Sequence, residues 1–365
     1  MKFRVSLLGL VLTASGAAHA MKDADLAAVV DERLVGDRTG ACFAVAVVER
    51  DRMTRAFRCA DPAEAGRIGP DVAFEIGSVT KTMAAALLAD LIVAGEASLE
   101  DPLADWLPAG TRVPDYQGQP IRLRHLVTHT SGLPRLAPNM PFVATRDPYA
   151  AWDAQAALAA LSNLTLTQPP GSQIGYSNFG AALLSYALAH RTGTDFATLL
   201  DERLFTPLGM KKAFLHDAPE GVRLAIGHTA DGQPTPAWTF ERNLEGVGGV
   251  RATLEDMVAY VQAHLGARPS RLDAALALSR QPIDVPGEQP MAMFWLLAPL
   301  DGRTLHLYEG TTGGFSSFVG LDGERGRGVV VLSDTEQLSL GGLGKFGLHL
   351  IDARLGEARP SLPRR

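Results

Sequence analysis

Ser78 and Lys81 are the pair whose types and spacing point first to chemistry. They lie in AFEIGSVTKTMAAALLADLIVAG, residues 73–95, an Ala- and Leu-rich stretch that reads as a buried helix entered through Gly77-Ser78. Residues three apart on a helix share a face, with Cβ atoms about 5–6 Å apart. A serine hydroxyl attacks poorly without an adjacent base. A lysine is that base only when neutral, which at pH 7 costs about 4.6 kcal/mol against an ordinary pKa near 10.4. Burial lowers a lysine by several units, and a helix N-terminus acts in the same direction. Ile76, Val79 and Met83 supply apolar surroundings. The other lysines are only Lys2, Lys22, Lys211, Lys212 and Lys345, so arginine does most of the surface work. The plain alternative is a surface lysine snorkelling over an apolar stem.

Tyr176 and Asn178 flank Ser177 in PPGSQIGYSNFG, residues 169–180. In an extended segment positions two apart point the same way, so a phenol and an amide can face one cleft. Tyrosine can relay a proton between nucleophile and leaving group. The same stretch resembles the G-x-S-x-G nucleophile elbow, with Ser177 as a rival nucleophile. Phe179 stands where the second glycine is needed, and no strand clearly feeds Gly175. A third stretch, LYEGTTGGFSSF, residues 307–318, puts Gly-rich backbone on a strand. Such backbone approaches a substrate closely and offers a main-chain N–H to an oxyanion, with Ser78 N–H as its partner. Otherwise it is an ordinary Gly-rich hairpin turn.

Ser78-Val-Thr-Lys81, Tyr176-Ser-Asn178 and this Gly-rich strand, in that order, resemble the penicilloyl-serine hydrolases, the superfamily of serine β-lactamases and penicillin-binding peptidases. Tyr-x-Asn points to the class C β-lactamase branch, as do LVTHTSGLPR, TPLGMKKAF and GGVRATLEDM. The run LPAGTRVPDYQGQPIRLRHLVTHTSGLPR is similar to AmpH-type D-alanyl-D-alanine carboxypeptidase/endopeptidases. The resemblance implies a β-lactamase/transpeptidase-like α/β (α+β) fold. It implies Ser78 as acylated nucleophile, Lys81 as base, and Tyr176 in proton transfer to the leaving nitrogen and activation of the deacylating water. Asn178 would contact Lys81 and the acyl amide, and Ser78 and Thr311 N–H would form the oxyanion hole. Sequence leaves open whether Lys81 or Tyr176 is the main base. One departure stands out: Tyr308-Glu309-Gly310 occupies the place of the family's Lys-Thr-Gly box, whose lysine helps bind a substrate carboxylate. Glu309, facing the cleft, would cost an anion at ~4 Å about 4 kcal/mol at an effective dielectric of 20. Arg135 is the candidate substitute cation. His129 in THTSG is expected to be structural, because a Ser-x-x-Lys system needs no histidine.

The elements that must position these groups follow from pattern. Residues 23–35 read as a helix, and 41–60 as a hairpin turning at Glu49-Arg50-Asp51-Arg52. A turn centred between Arg50 and Asp51 sets Cys42 opposite Cys59, close enough for a disulfide in an oxidising compartment; two buried thiols are the alternative. A Pro- and Gly-rich loop spans 102–120, and residues 123–204 are mainly helical. Thr253 caps a later helix. RTLHLYEG, GGFSSFVGLD and RGVVVLSD read as strands. One antiparallel sheet of five or more strands, built from both chain ends, is therefore expected, with a helical region inserted. The expected boundaries are 21–85 and 235–365 for the sheet domain and 86–234 for the helical domain, with the site between them.

The first twenty residues begin with Lys2 and Arg4, run apolar, and end Ala18-His19-Ala20. That reads as a signal peptide cleaved after Ala20, hence a periplasmic or secreted protein. Net charge is -6 without one-sign blocks, against a nucleic-acid surface. No metal spacing appears, and neither metal nor organic cofactor is expected. The expected protein is a monomeric serine hydrolase acting on β-lactams or D-Ala-containing peptidoglycan peptides. An esterase, or a slowly acylating non-catalytic wall-binding or sensor protein, are the alternatives.

Overall fold

The computed structural model describes residues 21–50, 52–140, 147–336 and 342–355. The expected signal peptide and Asp51 of the hairpin turn lie outside them. The N-terminal hairpin, β1 (Cys42–Glu49) and β2 (Arg52–Cys59), shares a sheet with four C-terminal strands. These are β3 (Leu296–Leu300), β4 (Arg303–Thr311), β5 (Ser316–Asp322) and β6 (Arg327–Ser333). The order is β3-β4-β5-β6-β1-β2, antiparallel throughout. β1 pairs with β2 from Cys42↔Cys59 to Glu49↔Arg52, and a disulfide joins the two cysteines.

Helices cover both faces, so the central strands are apolar on both sides. Phe43, Val45 and Val47 of β1, with Val329 and Val331 of β6, face one core containing α1 (Asp23–Leu34) and α5 (Leu343–Ile351). Cys42, Ala44, Ala46 and Val48 face the larger core. There α2 (Thr80–Val93), α3 (Asn178–Thr192) and α4 (Leu254–His264) pack. α2 is apolar all round and almost wholly buried, as a helix inside a core must be. α4 starts on the expected cap: Asp256 N–H donates to Thr253 Oγ1, and Thr253 N–H donates back to Asp256 Oδ2.

Two features depart from the sequence expectation. Residues 123–204 hold helices, but residues 223–235 contribute two-residue strands rather than helix. Val72–Glu75 pairs with Arg223–Leu224 and Arg251–Thr253 in a small second sheet. Among the described residues no helix is long and apolar enough to cross a membrane.

Candidate active site

The site forms where the start of α2, the start of α3 and the end of β4 converge. A 3₁₀ turn, Gly77–Val79, leads into α2. Gly77 has φ +50°, and a Cβ there would lie 2.7 Å from Thr311 N, so the turn tolerates only glycine against β4. Lys81 is fully buried one turn on, and its Nζ lies 2.9 Å from Ser78 Oγ and 2.6 Å from the Val247 carbonyl. Tyr176 hydroxyl lies 2.6 Å from Ser78 Oγ. The three residues singled out first in the sequence therefore touch one another.

Burial pushes the Lys81 amine below its ordinary range, against the opposing pull of Tyr176. Among the described residues no carboxylate pairs with it, so a proton on Nζ is poorly compensated. Burial alone would raise the Tyr176 phenol, but Lys81, its hydrogen bonds and Arg135 outweigh that and hold it below the usual tyrosine range. Ser78 Oγ is thus flanked by an amine and a phenol that are each easier to deprotonate than in water.

Main-chain geometry supplies the anion site. Thr312 N–H donates to Phe315 C=O, a hydrogen-bonded pair in the β4–β5 hairpin. Alternation makes Thr311 and Ser316 a non-hydrogen-bonded pair, which turns Thr311 N–H off that ladder. On the other side β3 pairs with β4 only as far as Leu307. Thr311 N–H is thereby left to face the Ser78 turn. Gly310 allows the approach: a Cβ there would lie 2.9 Å from Ser78 N and 2.0 Å from Ile76 O.

His129 is buried, its ring packed against Tyr176 at 4.5 Å between centroids and tilted by 40°. Its Nδ1 accepts from Ser177 N–H at 3.2 Å. Burial, then Lys81 and Arg135, push its pKa down to about 3, so it is neutral and braces the Tyr176 loop. Ser177 is no nucleophile: its hydroxyl donates to Pro134 C=O and accepts Gly180 N–H as the cap of α3.

Two sequence expectations meet a different geometry. Asn178 does not hold Lys81; its Nδ2 donates to Tyr149 hydroxyl at 3.0 Å, and Oδ1 is buried without a partner among the described residues. The Val247 carbonyl takes the place beside Lys81. Glu309 does not aim at Ser78. It pairs across β4–β5 with Phe318, on the α5 face, and its carboxylate sits against Gly344 of α5. Glu309 still lines the cleft, but its carboxylate turns to the α5 face, so the repulsion expected of a facing carboxylate at ~4 Å does not apply. Tyr308 faces the Ser78 side, is buried, and lies 3.5 Å by its hydroxyl from His129 Nε2. Arg135 stands at the cleft with its guanidinium 4.9 Å from the Tyr176 ring centroid.

The cleft holds about 450 Å³. Tyr149, Trp238 and Phe240 pack on one another along one wall and were not anticipated. Aromatics in aperiodic loops carry no signal, and Val247 acts through a carbonyl that no residue type reveals. Among the described residues no group of three or more His, Cys, Asp and Glu gathers to hold a metal ion.

A Ser-x-x-Lys pair with a tyrosine on the same oxygen, between an antiparallel sheet and helices, defines a serine hydrolase of the acyl-enzyme kind. The comparisons agree. The family model described as Beta-lactamase matches residues 26–344, and the chain belongs to that family. D-alanyl-D-alanine-carboxypeptidase/endopeptidase AmpH of Escherichia coli (strain K12) is 30% identical over 351 residues, 90% of each chain. The solved β-lactamase/D-alanine carboxypeptidase from Yersinia pestis superposes with a TM-score of 0.74 at 28% identity, over 90% of this chain and 98% of that one. Esterase EstB of Burkholderia gladioli is 31% identical over 228 residues, 58% of this chain and 56% of the esterase.

Proposed function

We propose that this protein hydrolyses D-Ala-containing peptidoglycan peptides or β-lactams through an acyl-enzyme on Ser78. The observation that carries it is Ser78 Oγ within hydrogen-bond reach of both Lys81 Nζ and Tyr176 hydroxyl. The Ser78 proton passes to neutral Lys81 as Oγ attacks the acyl carbon. The new oxyanion is held by Ser78 and Thr311 N–H. Tyr176 delivers a proton to the leaving nitrogen, the C–N bond breaks, and the acyl group stays on Ser78. Tyr176 then takes a proton from water, the hydroxide attacks the ester, and Ser78 leaves with a proton restored. Asn178 Oδ1 is placed to accept the substrate's amide N–H. The reading includes export after cleavage at Ala20, a monomer, and the division into a sheet domain (21–85 and 235–365) and a helical domain (86–234).

An esterase is the second reading. Tyr308 in place of a box lysine favours it, as does the similarity to an esterase. A non-catalytic sensor is disfavoured, because Tyr176 stands ready for deacylation. Peptide mass spectrometry after incubation with a β-lactam or an activated ester tests the assignment. An adduct on Ser78 is expected, and an adduct on any other residue overturns it. The kcat/KM values for nitrocefin, a D-Ala-D-Ala peptide and p-nitrophenyl butyrate then rank the substrates.

A further inference from the structure

The cleft is polarised in charge. Its α3 wall carries Arg135, whose carbonyl accepts Asn178 N–H at 2.9 Å and Phe179 N–H at 3.2 Å. The guanidinium lies over the Tyr176 ring and, among the described residues, has no acidic partner. It is the cation of the lining: Lys81 is sealed beneath the floor, and His129 is neutral. The sheet wall carries the opposite sign. Glu336 lines it beside Ser316, which faces Thr311 across the β4–β5 ladder, whereas the Glu309 carboxylate turns to the α5 face. The box position that would bear a lysine is the neutral Tyr308.

An Arg guanidinium held by a ring face is pre-organised for a carboxylate and binds it through paired, charge-assisted hydrogen bonds. We propose that Arg135 is the specificity residue that binds a carboxylate on the acyl portion of the substrate. The preferred substrate is then an acidic acyl donor, such as a peptide with a free side-chain carboxylate on the acyl side of the cleaved bond. This rests on the acyl-enzyme reading above, which makes the cleft the substrate site.

The test uses one leaving group and three acyl chains of similar length: p-nitrophenyl hexanoate, the p-nitrophenyl monoester of adipate, and p-nitrophenyl 6-aminohexanoate. The readout is the ratio of kcat/KM values, which cancels any common effect on the catalytic groups. Wild-type protein is expected to prefer the adipyl over the hexanoyl ester, with a ratio that falls as salt rises. Arg135→Gln lowers that ratio at least tenfold, Arg135→Lys keeps it within threefold, and Arg135→Glu moves the preference to the aminohexanoyl ester. A ratio that stays within twofold of wild type in both Arg135→Gln and Arg135→Glu overturns the proposal. Mass spectrometry on the same reactions separates the two claims. Ser78 adducts with an unchanged ratio sink the Arg135 role alone, whereas no Ser78 adduct with any ester sinks the acyl-enzyme reading itself.

Discussion

Replacing Gly310 with alanine tests whether β4 and the Ser78 turn form one anion site. The new methyl would fall 2.0 Å from Ile76 O, 2.6 Å from Ser317 Oγ and 2.9 Å from Ser78 N. Ile76 O has little room to give, since it accepts Ser317 Oγ at 2.7 Å and the Ile76 N–H is fixed to Val250 C=O. Relief of such an overlap needs a shift of about 1 Å, and overpacking of this kind costs about 1–3 kcal/mol of stability. The protein should still fold, because domains carry about 5–15 kcal/mol. Catalysis is less forgiving. Oxyanion donors act at about 2.7–3.1 Å, so the shift removes one of them, and losing one donor costs about 10²–10³ in kcat. The assay is kcat for p-nitrophenyl butyrate, read beside a thermal melt. Gly328→Ala is the control: its methyl would press on Val261 at 2.3 Å, far along the sheet from the site. It should lower the melting temperature and leave kcat within threefold. A Gly310→Ala protein with kcat within threefold of wild type would refute the reasoning.

Two further outcomes concern stability. His264 is buried between the Tyr260 and Trp295 rings, and burial holds its pKa well below 6.5. The unfolded chain takes up that proton below about pH 6.5 while the folded one does not, so its contribution is full above 6.5 and lost as pH falls. The difference in urea-unfolding free energy between wild type and His264→Phe should shift by about 1 kcal/mol from pH 6.5 to 5.5, against the wild type; parallel pH profiles contradict this. Reducing Cys42–Cys59, which closes a loop of sequence separation 17, should cost about 3 kcal/mol and leave the initial rate intact. A loss below 1 kcal/mol by denaturant titration would contradict it.

Sequence carried the parts of the site that are local. Ser78 and Lys81 share a helix face, Tyr176 and Asn178 reach one cleft, and the spacing of two cysteines about one turn fixes the β1–β2 register. Alternation along β4 suffices to put Glu309 on the face opposite Tyr308, although the box comparison draws attention to its charge instead. What was not legible is long-range or main-chain. The Val247 carbonyl on Lys81 is brought in from 166 residues away. Tyr149 reaches Asn178 from a loop without periodicity. The edge strand β3 carries Pro299, which hides it from a strand pattern, yet an edge is where proline is tolerated.

The central claim is that burial strips the proton from Lys81 so that Ser78 can attack. Carbon-13 NMR of ε-labelled lysine follows it directly, because the chain has few lysines and Lys81→Arg assigns the signal. The account predicts that the Lys81 resonance titrates well below the ordinary lysine midpoint near 10.4 and is largely neutral while the protein hydrolyses its ester substrate at pH 7. A Lys81 signal that stays protonated up to about pH 10 while hydrolysis at pH 7 runs at full rate would contradict it.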